Sequence, residues 1–345
     1  MFSGTLEEIM KRQTIVLFAL ILLTILSCKN ERQFSEGRRL TAYKNTDFIP
    51  TLEHKIGPDK NSVYCVTLLY AWDQIRKKIN QPFEVSKEQY DLTLFNDSKS
   101  YIDVLNPDEY SVSGEVDGDL ISARAEFNKS LPFEVRPKDW GRKLVFDGFP
   151  VASFGISGYD DYEQLQSVKI VYYENDNNFI IKLLPRDKQH EIILFKTEQT
   201  FSSIADMVLK IEMLTTIEKK ERTDDNHSWK YEYANEDEVV IPKINFNIET
   251  NYSTLEETQF RTKDQHYQIA RAWQRIAFIL DETGAEIESE AEMEAATEAI
   301  DEDYQKPKPK KMFFDTPFLT LLKRTDAKNP YFGLWTTNTD LMTKE

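Results

Sequence analysis

Residues 278–300 read FILDETGAEIESEAEMEAATEAI, and the period of these side chains decides what kind of fold can hold them. From Ala285 to Thr297 small or apolar residues alternate with acids. Glu, Ala and Met are good helix formers. Wound at 3.6 residues per turn, however, Ala285, Ile287, Ala291, Met293, Ala295 and Ile300 scatter around the cylinder and leave no apolar face to dock. Extended, the segment sorts itself. Ala285, Ile287, Ser289, Ala291, Met293, Ala295 and Thr297 share one face, while Glu286, Glu288, Glu290, Glu292, Glu294 and Glu298 share the other, with Ala296 the exception. The pattern predicts an exposed loop prepared to enter a sheet. Its six acids must then stay on the wet face, because like charges side by side on a sheet repel.

The flanks support a sheet on either side. HYQIARAWQRIAFIL precedes the segment, and FFDTPFLTLLKR and NPYFGLW follow it, all rich in β-branched and aromatic residues. The connection between them, Gly284 to Lys311, runs about 28 residues, far more than a hairpin needs, and loops of that length are functional or disordered. Further upstream LISARAEF, KLVFDGF, PVASFGI, SVKIVYY, FIIKLLP, EIILFKT and VVIPKINFNI read as short strands. FIIKLLPRDKQHEIILF predicts an antiparallel hairpin with its charged tip at Arg186 to Gln189. Helices are predicted at 61–80, where Cys65, Leu68, Leu69, Trp72, Ile75 and Ile79 share a face, at 201–219, and at 253–261. The fold class expected is α+β, with mixed and antiparallel sheets, in one domain over 59–345.

The 345 residues, 40% of them hydrophobic, are enough for a real core. A formal net charge of -16 repels phosphate backbones and argues against a nucleic-acid partner. Two basic residues, Lys11 and Arg12, precede an apolar run from Thr14 to Leu26, which suits a secretory signal and is too short for a comfortable membrane span. Residues 1–27 are therefore expected to be removed on export, and the polar stretch 28–58 to act as a tether. The ILSC ending resembles a bacterial lipobox, which implies that Cys28 carries the lipid; a plain signal peptide with an incidental Cys is the other reading. Lys29 after the Cys implies, by the same resemblance, sorting to the outer membrane. Cys65 is then left alone, with no partner for a bridge and no His nearby to activate it, so it reads as a packing residue.

Chemistry of other kinds finds little support. His54, His190, His227 and His266 have no metal-ligand spacing, and HExxH, CxxC, GxGxxG and GKS motifs are missing from the sequence, so neither metal nor nucleotide cofactor is expected. DDNHSW at 224–229 sets Asp, His and Ser side by side, whereas triads are assembled from residues distant in sequence. KPKPKK at 306–311 reads as a polyproline-like spacer.

Taken together, these motifs resemble the serpins. FILDETGAE is similar to the strand and hinge that lead into the serpin reactive loop, and FFDTPFLTLL to the Phe-x-x-Pro-Phe strand that follows it. NPYFGLW is similar to the closing strand, VVIPKINFNI to the Leu-Pro-Lys-Phe strand, FIIKLLPRDKQHEIILF to the paired central strands of the B-sheet, EFNKSLPF to the segment closing the long A-sheet strand, and NSVYCV to the opening of the buried helix. The resemblance implies a monomeric protease inhibitor without turnover, whose loop is cleaved by a target protease and inserts as a new strand of sheet A. It places the hinge at Glu282, Thr283 and Gly284, and inward-facing insertion positions at Ala285, Ile287, Ser289 and Ala291. The scissile bond falls near Glu298 and Ala299, or beside Lys306, Lys308, Lys310 or Lys311. The chain also departs from the family. Between Asn61 and Phe127 it has about half the usual length, Cys65 and Val66 stand where Ser-Pro is expected, and the Trp before the Pro132–Phe133 pair is replaced. The same resemblance therefore admits a non-inhibitory, serpin-fold lipoprotein that acts as a surface interaction module.

Overall fold

The structure is a computed structural model that describes residues 34–117, 120–141, 143–157, 164, 167–285 and 308–344. In chain order the strands that build the site are β1 (Thr46–Phe48), β2 (Asn61–Cys65), β3 (Tyr110–Asp117), β4 (Leu120–Phe127), β5 (Leu131–Pro132), β6 (Ser153–Ser157), β7 (Val168–Asn175), β8 (Asn178–Leu183) and β9 (His190–Lys196). They continue with β10 (Glu238–Pro242), β11 (Ile244–Asn251), β12 (Trp273–Leu280), β13 (Gly284–Ala285), β14 (Lys311–Phe313), β15 (Phe318–Arg324) and β16 (Phe332–Thr336). The helices are α1 (Thr67–Ile79), α2 (Tyr90–Asp97) and α3 (Ile204–Glu221). The class is α+β, as expected.

The centre is a seven-stranded sheet in the order β7-β8-β9-β15-β16-β2-β1, antiparallel except for the β1–β2 pair. Its middle strands are buried on both faces: in β2 and β16 every residue is buried, which is why they read as continuous apolar runs without alternation. The FIIKLLPRDKQHEIILF hairpin forms as predicted, with Leu183 opposite Ile192. One face of this sheet is covered by α3, whose Ile204, Met207, Val208, Ile211 and Leu214 are buried. The Ser203 hydroxyl caps its first turn, accepting from the Asp206 N–H at 3.1 Å. A second sheet joins β14, β10, β6 and residues 138–139. Two smaller ribbons, β3–β4 and β11–β12, lie over α1 and the large sheet.

Three expectations are corrected. The tether reading of 28–58 fails from about residue 35 onward, because Ser35 hydrogen-bonds to Asn245 and Asn247, Arg38–Arg39 pair with β11, β1 pairs with β2, and Phe48, Ile49, Leu52 and Ile56 are buried in the core. Their apolar side chains are spaced through polar neighbours, and averaging over the segment hides them. The predicted helix 61–80 begins only at Thr67: Asn61–Cys65 is a strand, since a short apolar run buried on both faces has no period to tell strand from helix. The 253–261 helix does not form; Glu257 adopts φ +64° in a turn and Gln259–Arg261 is a strand. The short helix α2 was not anticipated.

Candidate functional site

β4 and β12 face each other as two edges. Each has a hydrogen-bonded strand partner on one side, β3 for β4 and β11 for β12, and among the described residues neither is paired with the other. Between them lies a cleft of about 890 Å³, lined by Ala123, Ala125 and Phe127 of β4 and Gln274, Ile276 and Phe278 of β12, with α1 beneath.

Alternation along both walls shows which side of a strand added between them would be dry. On β12, Gln274, Ile276 and Phe278 are buried while Trp273 and Arg275 are exposed. On β4, Ala123, Ala125 and Phe127 are half-buried while Ser122, Arg124 and Glu126 are exposed. The two walls present apolar rows to the same interior and polar rows to the same solvent face.

The chain that leaves β12 turns back into the mouth of this cleft. The Thr283 N–H and hydroxyl donate to Asp281 Oδ1 at 2.7 and 2.9 Å, and the Gly284 N–H donates to the Asp281 carbonyl at 3.1 Å. Gly284 sits at φ +103°, and a Cβ there would meet the Leu131 carbonyl, the Phe133 nitrogen and Pro132 Cα at 2.6, 2.6 and 2.8 Å. Only glycine permits that approach. β13 then pairs antiparallel with β5, Gly284 opposite Pro132 and Ala285 opposite Leu131, and the Phe133 N–H donates to the Thr283 carbonyl at 3.3 Å. Glu282 is held by Lys243 Nζ at 2.8 Å. Of the hinge positions named from the sequence, Glu282, Thr283, Gly284 and Ala285 are therefore brought to one end of the cleft. Ile287, Ser289, Ala291, Glu298, Ala299 and Lys306 lie outside the described residues, as does Cys28.

The far root of the same loop is built very differently from a spacer. Lys308 is exposed, but the Lys310 side chain is 2% exposed and pairs with Asp237, itself fully buried, at 2.8 Å. Its ammonium also donates to the Glu232 carbonyl at 2.8 Å and lies over the rings of Tyr173 and Trp229 at 5.9 and 5.8 Å. Its backbone N–H donates to Asp237 Oδ1 at 2.7 Å. Lys311 opens β14, parallel to β10, and pairs with Glu238 at 2.8 Å. A protease cannot reach bonds flanked by a buried side chain and held in a sheet, so Lys310 and Lys311 are withdrawn as scissile candidates. In sequence they were two more lysines of a charged run, and no local signal distinguished them.

A polar cluster fixes the end of the β3–β4 ribbon that leads into β5, and it too escaped sequence reading because its members are far apart in the chain. Glu109, just before β3, accepts from His190 Nε2 at 2.8 Å, from Arg324 Nη1 at 2.8 Å and from the Asn106 N–H at 2.9 Å. Lys129, just after β4, pairs with Asp187 at 2.8 Å and Glu109 at 3.4 Å. Burial alone would raise the Glu109 carboxyl, but the Asn106 N–H and the Arg324 guanidinium hold it below the usual carboxylate value. Burial, and after it the Lys129 ammonium, depress His190 against the opposing pull of Asp187 and Glu109. Elsewhere, Cys65 is buried and its thiol is pushed up by burial, as befits a packing residue. In the DDNHSW stretch His227 Nδ1 lies 2.6 Å from Asp224 Oδ2 on an exposed loop.

Among the described residues no group of three His, Cys, Asp or Glu side chains is placed to hold a metal ion, and no helix is long and apolar enough to cross a membrane. No family model matches the chain, and no curated protein matches it. Among solved structures it is similar to thyroxine-binding globulin in complex with thyroxine, at 11% identity over 63% of this chain and 56% of that one, with a TM-score of 0.34. It is similar to Serpin48, a highly specific serpin of the insect Tenebrio molitor, at 15% identity over 63% and 55% of the two chains, TM-score 0.30. It is similar also to Tengpin, a thermophilic serpin in its native state, at 12% identity over 73% and 63%, TM-score 0.37. The chain thus spans less than two thirds of the length of each of these structures. Two of these three structures are named as serpins.

Proposed function

We propose that this chain is a serpin-type protease inhibitor, carried on the cell envelope by a lipid on Cys28, which traps its target by inserting its own cleaved loop between β4 and β12. The observation that carries this reading is the cleft between two unpaired edges with β13 already seated at its mouth. If β13 is extended in its present register, residue 287 comes opposite Lys129 and Phe278, 289 opposite Phe127 and Ile276, and 291 opposite Ala125 and Gln274. Each of these wall positions except Lys129 belongs to a row facing the interior, so Ile287, Ser289 and Ala291 are the side chains that enter the dry side. They are small except for Ile287, as a strand packed over α1 requires. Entry would satisfy both open edges at once, with each backbone hydrogen bond stabilising by about 0.5–1.5 kcal/mol net. Cleavage near Glu298–Ala299, or beside Lys306 or Lys308, frees the strand while β14, stapled through Lys310, stays in place.

The test mixes the exported domain with a panel of serine and cysteine proteases. A band on a denaturing gel at the summed mass of the two proteins, together with a rise in melting temperature of the cut form, is expected. Plain digestion with neither result refutes inhibition. One observation favours a second reading, a non-inhibitory module that accepts a strand at its surface: β4 and β12 already stand apart, so cutting has no β4–β12 pairing to release. That module would show the rise in melting temperature or bind an added peptide, without the covalent band.

A further inference from the structure

The proposed insertion leaves one face of the strand unexplained, the acidic one, and the walls of the cleft say what meets it. The two walls fix the register of an entering strand independently. On one side Ala285 is opposite Leu131, and each step forward along the strand is a step back along β4. On the other side Gly284 bridges Asp281, and each step forward is a step back along β12. Both registers put odd positions from 287 to 291 toward the interior rows and even positions toward the solvent rows, although neither was used to set the other.

On the solvent rows the even positions meet arginines. Position 292 falls opposite Arg124 of β4, and position 290 opposite Arg275 of β12; both positions are Glu in this sequence. Arg124 is exposed and currently paired with Glu126, its neighbour two residues along the same strand. Arg275 is exposed, and its Nε donates to Asn247 Oδ1 at 2.7 Å. The other groups on this face include Glu249 of β11, directly across from Arg275, Glu126, opposite position 290 on the β4 side, Trp273, opposite 292 on the β12 side, and Asn128 and Ala277, which flank Glu288. One more acid, Glu294, comes opposite Ser122, with Arg271 in register on the β12 side and stacked on the Trp273 ring at 5.4 Å. The cleft lining carries three bases, Arg124, Lys129 and Arg275, and three acids, Asp108, Glu109 and Glu126, a balance in a chain that has 59 acidic and 43 basic residues.

We infer that Arg124 and Arg275 are specificity-determining residues of the cleft, which admit a strand carrying carboxylates at alternate outward positions. The occupant is this chain's own 286–294, and the inference rests on the insertion reading given above. Opposite charges directly across a sheet attract, and like charges repel. A strand shifted by one residue would turn its acids into the apolar interior, where burying an unpaired carboxylate is prohibitive. A strand shifted by two would keep its faces and, because every even position from 286 to 294 is Glu, would still set a carboxylate opposite each arginine, so the arginines select an acidic outer face rather than a single register. Glu292 is matched by Arg124 and Glu290 by Arg275, while Glu290 also faces Glu126 on the other wall. Because the pairs are exposed, salt screens them.

The experiment places the recognition sequence of a site-specific protease at 299–305, outside the pairing region, and compares melting temperatures of intact and cut protein. Four forms are measured: the parent, Glu290→Gln with Glu292→Gln, Arg124→Gln with Arg275→Gln, and the fourfold variant. The intact form of each is its own control for folding. In low salt, cutting the parent should raise the melting temperature, and each double variant should lose about 2–4 °C of that rise. The fourfold variant should lose no more than either double variant, because both changes remove the same pairs. The losses should shrink toward zero in 0.5 M NaCl. A rise that is the same in all four forms, or losses that simply add, would overturn the arginine assignment and leave insertion standing. No rise in the parent would overturn insertion, and the arginine assignment with it.

Discussion

Replacing Gly284 by Ala probes the geometry that brings the loop to the cleft. The backbone there is at φ +103°, and the added Cβ would lie 2.6–2.8 Å from three backbone atoms of Leu131, Pro132 and Phe133. None of these can rotate away as a side-chain tip would. Two responses are open to the protein. It can hold β13 against β5 and accept the strain of a non-glycine residue in a sparsely allowed region, about 1–3 kcal/mol, plus the close contacts. Alternatively, it can let β13 peel away from β5, losing the short ladder at Leu131–Phe133, at about 1 kcal/mol net for each hydrogen bond. The cheaper response limits the loss, so Gly284→Ala should cost about 2 kcal/mol and lower the melting temperature by about 4 °C for a chain of this size. Urea denaturation gives the first quantity. Hydrogen exchange gives the second observable: the Phe133 amide, which donates to Thr283, should lose protection while amides of β9 and β15 keep theirs. A variant within about 0.5 kcal/mol of the parent, the ordinary range of a neutral surface change, with Phe133 still protected, would refute the seating of β13.

Lys310→Met should destabilise by about 3–5 kcal/mol in urea denaturation, because it leaves the fully buried Asp237 carboxylate without its cation; Lys310→Met with Asp237→Leu should recover part of that. For His190 the folded pKa lies below its ordinary 6.5, so the unfolded chain takes up the proton first as pH falls. Its stability contribution is full above about pH 6.5 and is lost as pH falls through that value toward the folded pKa. His54, also depressed by burial, has the same sign, so the measurement is the difference between parent and His190→Gln in melting temperature from pH 8 to pH 5, where the variant should fall less steeply. The Cys65 thiol, buried and with its pKa pushed up, should stay unreactive toward an aromatic disulfide reagent until the protein is unfolded, and rapid labelling of native protein would contradict its packing role.

What could be read in the sequence divides along physical lines. Strands with a clear period or flanking turns, such as Asn178–Leu183 with His190–Lys196, and the glycine-marked turn at Asp281–Gly284, were legible because local chemistry and fold agree there. The 61–65 strand was not, because burial on both faces erases periodicity and leaves helix and strand equivalent on paper. Glu282 to Ala285 follow the end of β12, but the wall opposite, β4 with Arg124, could not be found from the loop sequence: the two are more than 150 residues apart, and only the fold sets them near each other. Burial of Lys310 was equally hidden, since its partners Asp237, Tyr173 and Trp229 come from three separate segments, and a lysine in a charged run is ordinarily solvated.

An open pair of strand edges is a hazard as well as a device, because unpaired backbone groups will accept any extended chain that fits. Three features of this cleft narrow what fits. Its interior rows end at Ala123 and Ala125, which leave room for small side chains and little else over α1. Its solvent rows carry Arg124 and Arg275, which favour acids at alternate places and disfavour the lysines that commonly guard edges elsewhere. Its mouth is taken by Gly284 and Ala285, which continue into the one segment of the chain with that alternation. A strand tethered at the mouth competes at an effective concentration of order millimolar against free chains at far lower concentration. Selectivity toward the chain's own strand therefore needs only modest pairing energies, and weak exposed charge pairs suffice to favour an acidic outer face. On the proposed insertion, pairing at the solvent face leaves entry conditional on release of the strand at its other end, where Lys310 holds fast, whereas strong, buried pairing would close the cleft before any cut.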